Sequence, residues 1–298
     1  MQDKISESPV PAGTVFLLDR NVVSLIKSAV DGRVPTDAKK RAFLDGLRAL
    51  DLPENSFSPL LSLMEGEKGR EDSAEEKAEC LEKETEAIGR FFTRASTDTC
   101  YLRGLKDVVS ELFAGMAESR WDDRGEFLMQ AAPRVIQKVA GRERRDVEDE
   151  LIRLAIASGL APDDAIVMLL LACLYGSDAA RRVIKPARPN AWNVLSDLHV
   201  ISRVGMVKAV AGQSPIPIRV RFLTRDEGLH GVLTHVRIVH SQITASGGLQ
   251  MGIRYTPGLF PDLAETDVIA LLQRLEGAAS RAGSESSMAA GAIGRCNS

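Results

Sequence analysis

The sequence predicts an α/β fold in which helices flank a central, mainly parallel sheet. Two short apolar strands that each end in an acid carry this prediction, TVFLLD at 14–19 and VRFLTRD at 220–226. Buried parallel strands have continuous apolar sequences, and open α/β sheets place their functional groups at the carboxyl ends of the strands. A third observation is the helical spacing of apolar residues through most of the chain between these two strands.

The first 70 residues predict strands that alternate with helices. Residues 1–13 are polar and form a flexible N-terminus, and 14–19 is the first strand. Apolar spacing predicts helices over 22–30 and 38–50. A short strand at 55–59 then turns into a helix that carries Glu65, because Ser58 is a good N-cap and Pro59 suits the first helical position.

The middle of the chain predicts a large all-helical insertion over about 71–189. Its helical spacing is interrupted at Trp121–Asp123 and at Gly141–Arg142, and Ala161–Asp164 starts an apolar helix. The segments after it are a helix capped by Asn190 over 191–210, the strand 220–226, strands at 232–243 and 249–255, and a helix at 262–275. We therefore expect one domain over 14–275 and a disordered tail over 276–298, which is rich in Gly, Ala and Ser.

The composition excludes several classes of protein. A net charge of -3 and a pI near 5.9 give no overall cationic field, so a non-specific coat on nucleic acid is not expected. The four cysteines form no CxxC pair, which is typical of reduced thiols in the cytoplasm. The longest apolar run, 165–175, is shorter than a membrane span, and the first residues lack the apolar core that is typical of a signal peptide. We expect a cytoplasmic protein with no membrane partner.

Four acids fall at corresponding places in the predicted elements. Asp19 and Asp226 end strands, whereas Glu65 and Asp197 lie on helices, each seven residues after its predicted N-cap. Seven residues is close to two turns, so each helical acid returns to the face of its cap. Because a crossover helix begins near the carboxyl ends of the parallel strands, all four acids are expected at one edge of the sheet. For each acid alone, a helix cap or a surface position is an alternative.

A converging set of carboxylates predicts a site for a hard divalent cation. Mg²⁺ and Mn²⁺ prefer oxygen ligands and keep several waters, so few carboxylates suffice. Such an ion activates water and neutralises charge during phosphodiester hydrolysis. Arg20 and Arg225 stand next to site acids and are candidates for contacts with substrate phosphate, although surface arginines that balance the acids are an equal alternative.

The order of these segments resembles the PIN domain, a family of magnesium- or manganese-dependent nucleases. Over 14–70 and 190–230, four short motifs of the chain carry the resemblance: Asp19-Arg20-Asn21-Val22, Ser58-Pro59 with Glu65, Ser196-Asp197-Leu198, and Phe222-Leu223-Thr224-Arg225-Asp226. The chain departs from compact members by the long helical stretch between Glu65 and Asp197. Because of that stretch, Asp164 is a rival of Asp197 as the third acid.

The resemblance implies a PIN-like three-layer fold and endoribonuclease activity, with Asp19, Glu65, Asp197 and Asp226 as ligands of Mg²⁺ or Mn²⁺. Asn21 and Thr224 would order the carboxylates. RNA is the expected substrate, with DNA as an alternative, and a regulatory protein or an antitoxin is a partner that the family implies, in toxin–antitoxin pairs, RNA processing or defence. Two alternatives stay open: an inactive PIN-like scaffold that binds a partner, and a haloacid-dehalogenase-like phosphatase, which ranks lower because Asn21 stands where that family has a second Asp.

Overall fold

The computed structural model describes residues 13–65, 72–114, 120–213, 218–243 and 249–278 of the chain. By its internal contacts the chain divides into two compact units. The first unit comprises Met1–Ala117, His199–Asp226 and Ile238–Gly252, and the second comprises Glu118–Leu198, Glu227–Arg237 and Ile253–Ser298. No helix among the described residues is long and apolar enough to cross a membrane.

A four-stranded parallel sheet forms the centre of the first unit and confirms the α/β class. Its strands are β1 (Thr14–Leu18), β2 (Asn55–Ser58), β3 (Ser96–Thr97) and β4 (Arg219–Leu223), in the spatial order β3-β2-β1-β4. The helices of this unit are α1 (Arg20–Val30), α2 (Ala38–Ala49), α3 (Leu60–Glu65), α4 (Ala74–Phe91), α5 (Thr99–Gly104) and α6 (Lys106–Ala114). Sequence spacing predicted the first two strands and the helices α1 to α4 within a few residues.

Aromatic rings on one face of the sheet hold the core of the first unit together. Phe16 of β1 lies opposite Phe57 of β2, with ring centroids 5.1 Å apart, and Phe57 stacks on Phe92 at 3.7 Å. Apolar side chains of α1 and α2, among them Ile26 and Leu47, pack into the same cluster. Since these side chains are almost fully buried, the strands and the helices that flank them are fixed relative to one another.

The strand order creates a switch point between β1 and β4. The chain proceeds from β1 to β2 and β3 in one direction, and β4 then pairs with the other side of β1. In open α/β sheets the crevice at the carboxyl ends of the strands on either side of such a reversal is where ligands bind. The residues that follow β1 and β4 are those which the sequence singled out.

The second unit is built mainly of helices. They are α7 (Trp121–Ala131), α8 (Arg144–Ala157), α9 (Ala165–Leu174), α10 (Asp178–Ile184), α12 (Glu227–Leu233) and α13 (265–278). Helix α9 lies at its centre, with every residue from Ile166 to Leu174 buried. The N-terminal part of α11 (Ala191–Ala211) belongs to this unit and the rest belongs to the first unit. A separate two-stranded sheet consists of β5 (Val236–Ile243) and β6 (Leu249–Tyr255), and short 3₁₀ helices lie at Ala132–Val135, Gly141–Glu143 and Pro257–Leu259.

Several sequence-based boundaries were wrong for local reasons. Residues 232–233, predicted as strand, end α12, because Leu229 and Val232 form a buried helical face that packs against α10. Trp121–Asp123 is the first turn of α7 and not a break. The last helix begins at 265 and includes 276–278, which were assigned to the tail. The predicted flexible N-terminus up to residue 12 and the tail from 279 lie outside the described residues.

Candidate active site at the carboxyl edge of the sheet

Asp19 is the centre of a hydrogen-bonded cluster at the carboxyl end of β1. It follows the last residue of the strand, is only 6% exposed and caps α1, where its Oδ1 accepts the backbone N–H of Arg20 at 2.8 Å. Its Oδ2 accepts hydrogen bonds from the side chains of Asn21 and Thr224. Asp19 therefore does cap a helix, which the sequence left open as an alternative. This cap does not exclude a role of Asp19 in a site.

The loop after β4 supplies the partner side of this cluster. Thr224 Oγ1 donates to Asp19 and accepts from Asn21 Nδ2 at 3.1 Å and from the backbone N–H of Asp226 at 3.0 Å. Asn21 Oδ1 accepts the backbone N–H of Arg225 at 2.9 Å. These bonds join segments more than 200 residues apart in the chain. They fix the Asp19 carboxylate and the backbone of Asp226 relative to each other.

Glu65 approaches this cluster from the last residue of α3. Its side chain is 19% exposed, and its Oε1 lies 3.8 Å from Nη1 of Arg20. The pKa of Glu65 is raised to about 7, first by burial and then by the negative charge of Asp19, while the positive charges of Arg20 and Arg203 oppose the shift. Arg20 therefore forms an ion pair with a predicted site acid. This agrees with the alternative in which the arginines balance the charge of these acids.

The pKa of Asp19 is shifted in the same direction as that of Glu65. Burial raises the pKa of Asp19, the hydrogen bonds from Thr224 and from the Arg20 backbone lower it, and the charge of Asp226 raises it again. Three of the four predicted acids, Asp19, Glu65 and Asp226, thus interact electrostatically within the first unit. Close carboxylates with raised pKa values are typical of functional sites, where a cation or a proton relieves their repulsion.

Asp197 and its rival Asp164 both belong to the second unit. Asp197 is half-buried on α11, which Asn190 caps as predicted, with the N–H of Asn193 at 3.0 Å from Asn190 Oδ1. Asp164 caps α9 and is bound by Arg124, whose Nη2 lies 2.8 Å from its Oδ2. Asp164 is thus engaged in a structural cap and ion pair, while Asp197 as the third acid stays a prediction.

Sequence reasoning missed Asp98, which follows β3 at the same edge of the sheet. Ser58, at the end of β2, donates to Asp98 Oδ2 at 2.6 Å, and burial raises the pKa of Asp98. A polar residue therefore lies at the end of each of the four strands of this sheet or directly after it. The signal was hidden because β3 has two residues, Ser96 and Thr97, too few for a strand pattern.

The oxygen-rich donor set suits a hard cation such as Mg²⁺ or Mn²⁺. Asp19 accepts three hydrogen bonds from described groups, and a carboxylate has about four lone-pair sites, so it retains capacity for one more ligand. Within the described ranges, no group of three or more His, Cys, Asp or Glu side chains has the spacing of a complete metal site. Since Mg²⁺ keeps several waters, two acids with a third nearby are compatible with it.

Comparisons with known proteins do not identify the chain. No family model, no curated protein and no solved structure matches it.

Proposed function

We propose that this protein is a metal-dependent nuclease with a PIN-like fold that hydrolyses phosphodiester bonds in RNA. Asp19, Glu65 and Asp226, which all belong to the first unit, would hold Mg²⁺ or Mn²⁺. The observation that carries the proposal is the electrostatic coupling of Asp19 with both other acids at the switch point of the sheet. A bound divalent cation supplies charge neutralisation and activation of water for attack on phosphorus.

The protein side chains around that position have separate tasks in this proposal. Asn21 and Thr224 orient the Asp19 carboxylate through their hydrogen bonds and leave part of it accessible to a ligand. Glu65 has a pKa of about 7 in the metal-free protein, and it would bind the cation in its deprotonated form. Arg20 holds Glu65 and stands where it can also face an anionic substrate.

The test is cleavage of generic single-stranded RNA with and without Mg²⁺ by the wild type and by Asp19→Asn. Asparagine caps helices as well as aspartate does, so this substitution removes the charge and keeps the cap. We expect activity to fall by a factor of about 100 or more, since a carboxylate ligand of the ion is lost. A parallel reaction on single-stranded DNA shows which nucleic acid is preferred.

Asp45→Asn is the matched control for this experiment. Asp45 of α2 is 71% exposed and pairs with Arg48 at 2.9 Å, so the same change from Asp to Asn removes a surface charge outside the carboxylate cluster. This control variant is expected to cleave RNA like the wild type. Cleavage that persists in EDTA, or in Asp19→Asn, rejects the proposal. If Mg²⁺ neither supports cleavage nor raises the melting temperature, the inactive scaffold is the better description.

A further inference from the structure

The described part of the helix that presents Glu65 is short. It covers Leu60–Glu65, six residues, and Glu65 is the last of them. Helices depend on tertiary contacts for most of their stability. The position of the Glu65 carboxyl therefore depends on what the neighbouring elements do to the end of α3.

A buried lysine from the next helix binds the end of α3. Lys77 of α4 is 5% exposed, and its Nζ donates to the carbonyl oxygens of Leu63 at 2.8 Å and Met64 at 3.2 Å. Asp72 Oδ2 lies 3.7 Å from the same nitrogen. Burial lowers the pKa of Lys77, and the charge of Asp72 opposes that shift. A cation at a helix C-terminus is favourable, but burying one is costly unless it is bound in this way.

A second tether joins the same two helices. Ser62 Oγ of α3 donates to Glu84 Oε1 of α4 at 3.0 Å, and both side chains are about 1% exposed. Helix α4 is an extended base for both tethers, since it has 18 residues and begins with a capping box of Ser73 and Glu76. The short helix is thus held from one side by two buried polar contacts.

The charges around Glu65 come from several elements of the first unit. Asp19 and Glu84 are the negative groups that act on it, and Arg20 and Arg203 are the positive groups. Arg203 and Glu84 also act on Lys77. The buried polar layer of α4 and the site acids are therefore contiguous.

We propose that Lys77 is a positioning residue for Glu65, which holds the end of α3 so that the Glu65 carboxyl faces Asp19. This inference rests on the proposed metal site. Lys77 acts through the backbone of Leu63 and Met64 and does not itself touch the ion or the substrate.

The test is a titration of folded Lys77→Met with Mn²⁺, in which electron paramagnetic resonance reports how much of the ion is bound. Methionine keeps most of the length of the side chain and loses the cation. We expect the dissociation constant for Mn²⁺ to rise about tenfold or more, because Glu65 is no longer held beside Asp19. The milder Ser62→Ala removes the second tether and should weaken binding in the same direction, and it decides the matter if Lys77→Met does not fold.

Thr85→Val is the control for general destabilisation of α4. Thr85 is fully buried in the same helix, but its hydroxyl bonds to the carbonyl of Leu81 within that helix and not to α3. The Thr85→Val variant should bind Mn²⁺ with the affinity of the wild type. Wild-type affinity in Lys77→Met, or in Ser62→Ala where Lys77→Met does not fold, overturns the inference and leaves the proposed function intact. Failure of the wild type itself to bind Mn²⁺ overturns the proposed function and the inference with it.

Discussion

Single residues at the carboxyl edge of the sheet serve folding and the proposed chemistry at once. Asp19 caps α1 and also accepts the hydroxyl of Thr224 and the amide of Asn21. The sequence shows these polar residues at the ends of apolar strands, but it does not show that they bond to one another. The environment of Glu65 was not predictable, since one of the charges that act on it, that of Arg203, comes from a position far along the chain.

Glu65 should make the metal-free protein less stable as the pH rises. Its carboxyl has a pKa of about 7 in the folded protein against 4.5 in the unfolded chain, so the folded state binds the proton more tightly. Stability is therefore lost between pH 4.5 and 7, up to about 3 kcal/mol. Glu65→Gln carries no charge at any pH, and we expect it to be more stable than the wild type at pH 8 by up to that amount.

Urea denaturation in EDTA at pH 5 and pH 8 measures this difference. The two proteins should be similar at pH 5, where most of the wild-type carboxyl is protonated in the folded state. Glu86→Gln is the control, since Glu86 is 61% exposed on α4 and pairs only loosely with Arg90 at 3.6 Å. Its stability should follow that of the wild type at both pH values. A Glu65→Gln variant that is no more stable at pH 8 would contradict the raised pKa.

Elements with strong local signals were predicted, and elements that depend on distant partners were not. Helices α1, α2 and α11 have periodic apolar faces and capping residues, and their boundaries were correct within two residues. The two-residue β3 exists only because β2 pairs with it through Ser56 and Phe57. Residues 232–233, the end of α12, were taken for strand because the burial of this helix comes from α10, which is remote in sequence. Local propensity is informative where tertiary contacts agree with it and fails where they override it.

The stacked rings between β1, β2 and the end of α4 should contribute strongly to the stability of the first unit. Phe57 lies between Phe16 and Phe92 and is 1% exposed. Phe57→Ala leaves a cavity that the flanking rings cannot fill, and we expect a loss of about 3–5 kcal/mol in the free energy of unfolding. The control is Tyr101→Ala, which removes an aromatic ring that is 69% exposed and should change stability by less than about 0.5 kcal/mol. Equal effects of the two substitutions in urea denaturation would refute this account of the core.

At the scale of the whole molecule, each unit is completed by segments that are far apart in the chain. The first unit needs β4 beside β1, and Thr224 reaches Asp19 across 205 positions. The second unit needs the last helix, α13, whose Arg274 reaches Glu148 across 126 positions. The sequence indicated that strands and acids exist, but which strand pairs with β1 is decided by packing of the complete chain. The edge of the sheet where the site lies was therefore predicted, whereas the switch point between β1 and β4 was not available from the local pattern.

The second unit should depend on Glu148, a fully buried carboxylate of α8. Its Oε1 accepts Nη1 of Arg145 at 2.7 Å and Nη2 of Arg274 at 2.9 Å, and its Oε2 accepts the hydroxyl of Tyr175. Glu148→Gln removes the counter-charge that the two guanidinium groups share, although Arg145 keeps an ion pair with Asp149 at 3.1 Å. We expect a loss of about 3 kcal/mol, the lower end for a broken buried ion pair, because each arginine is at least one-third exposed and can be rehydrated.

Tryptophan fluorescence during urea denaturation reports this loss, because both tryptophans of the chain, Trp121 and Trp192, lie in the second unit. The matched control is Glu150→Gln, the same substitution two positions along α8. Glu150 pairs with Arg134 at 2.9 Å, but its side chain is 31% exposed, so its removal should cost no more than about 1 kcal/mol. If Glu148→Gln costs as little as Glu150→Gln, then the apolar packing of α9 holds the unit together and the buried carboxylate does not determine how the last helix docks.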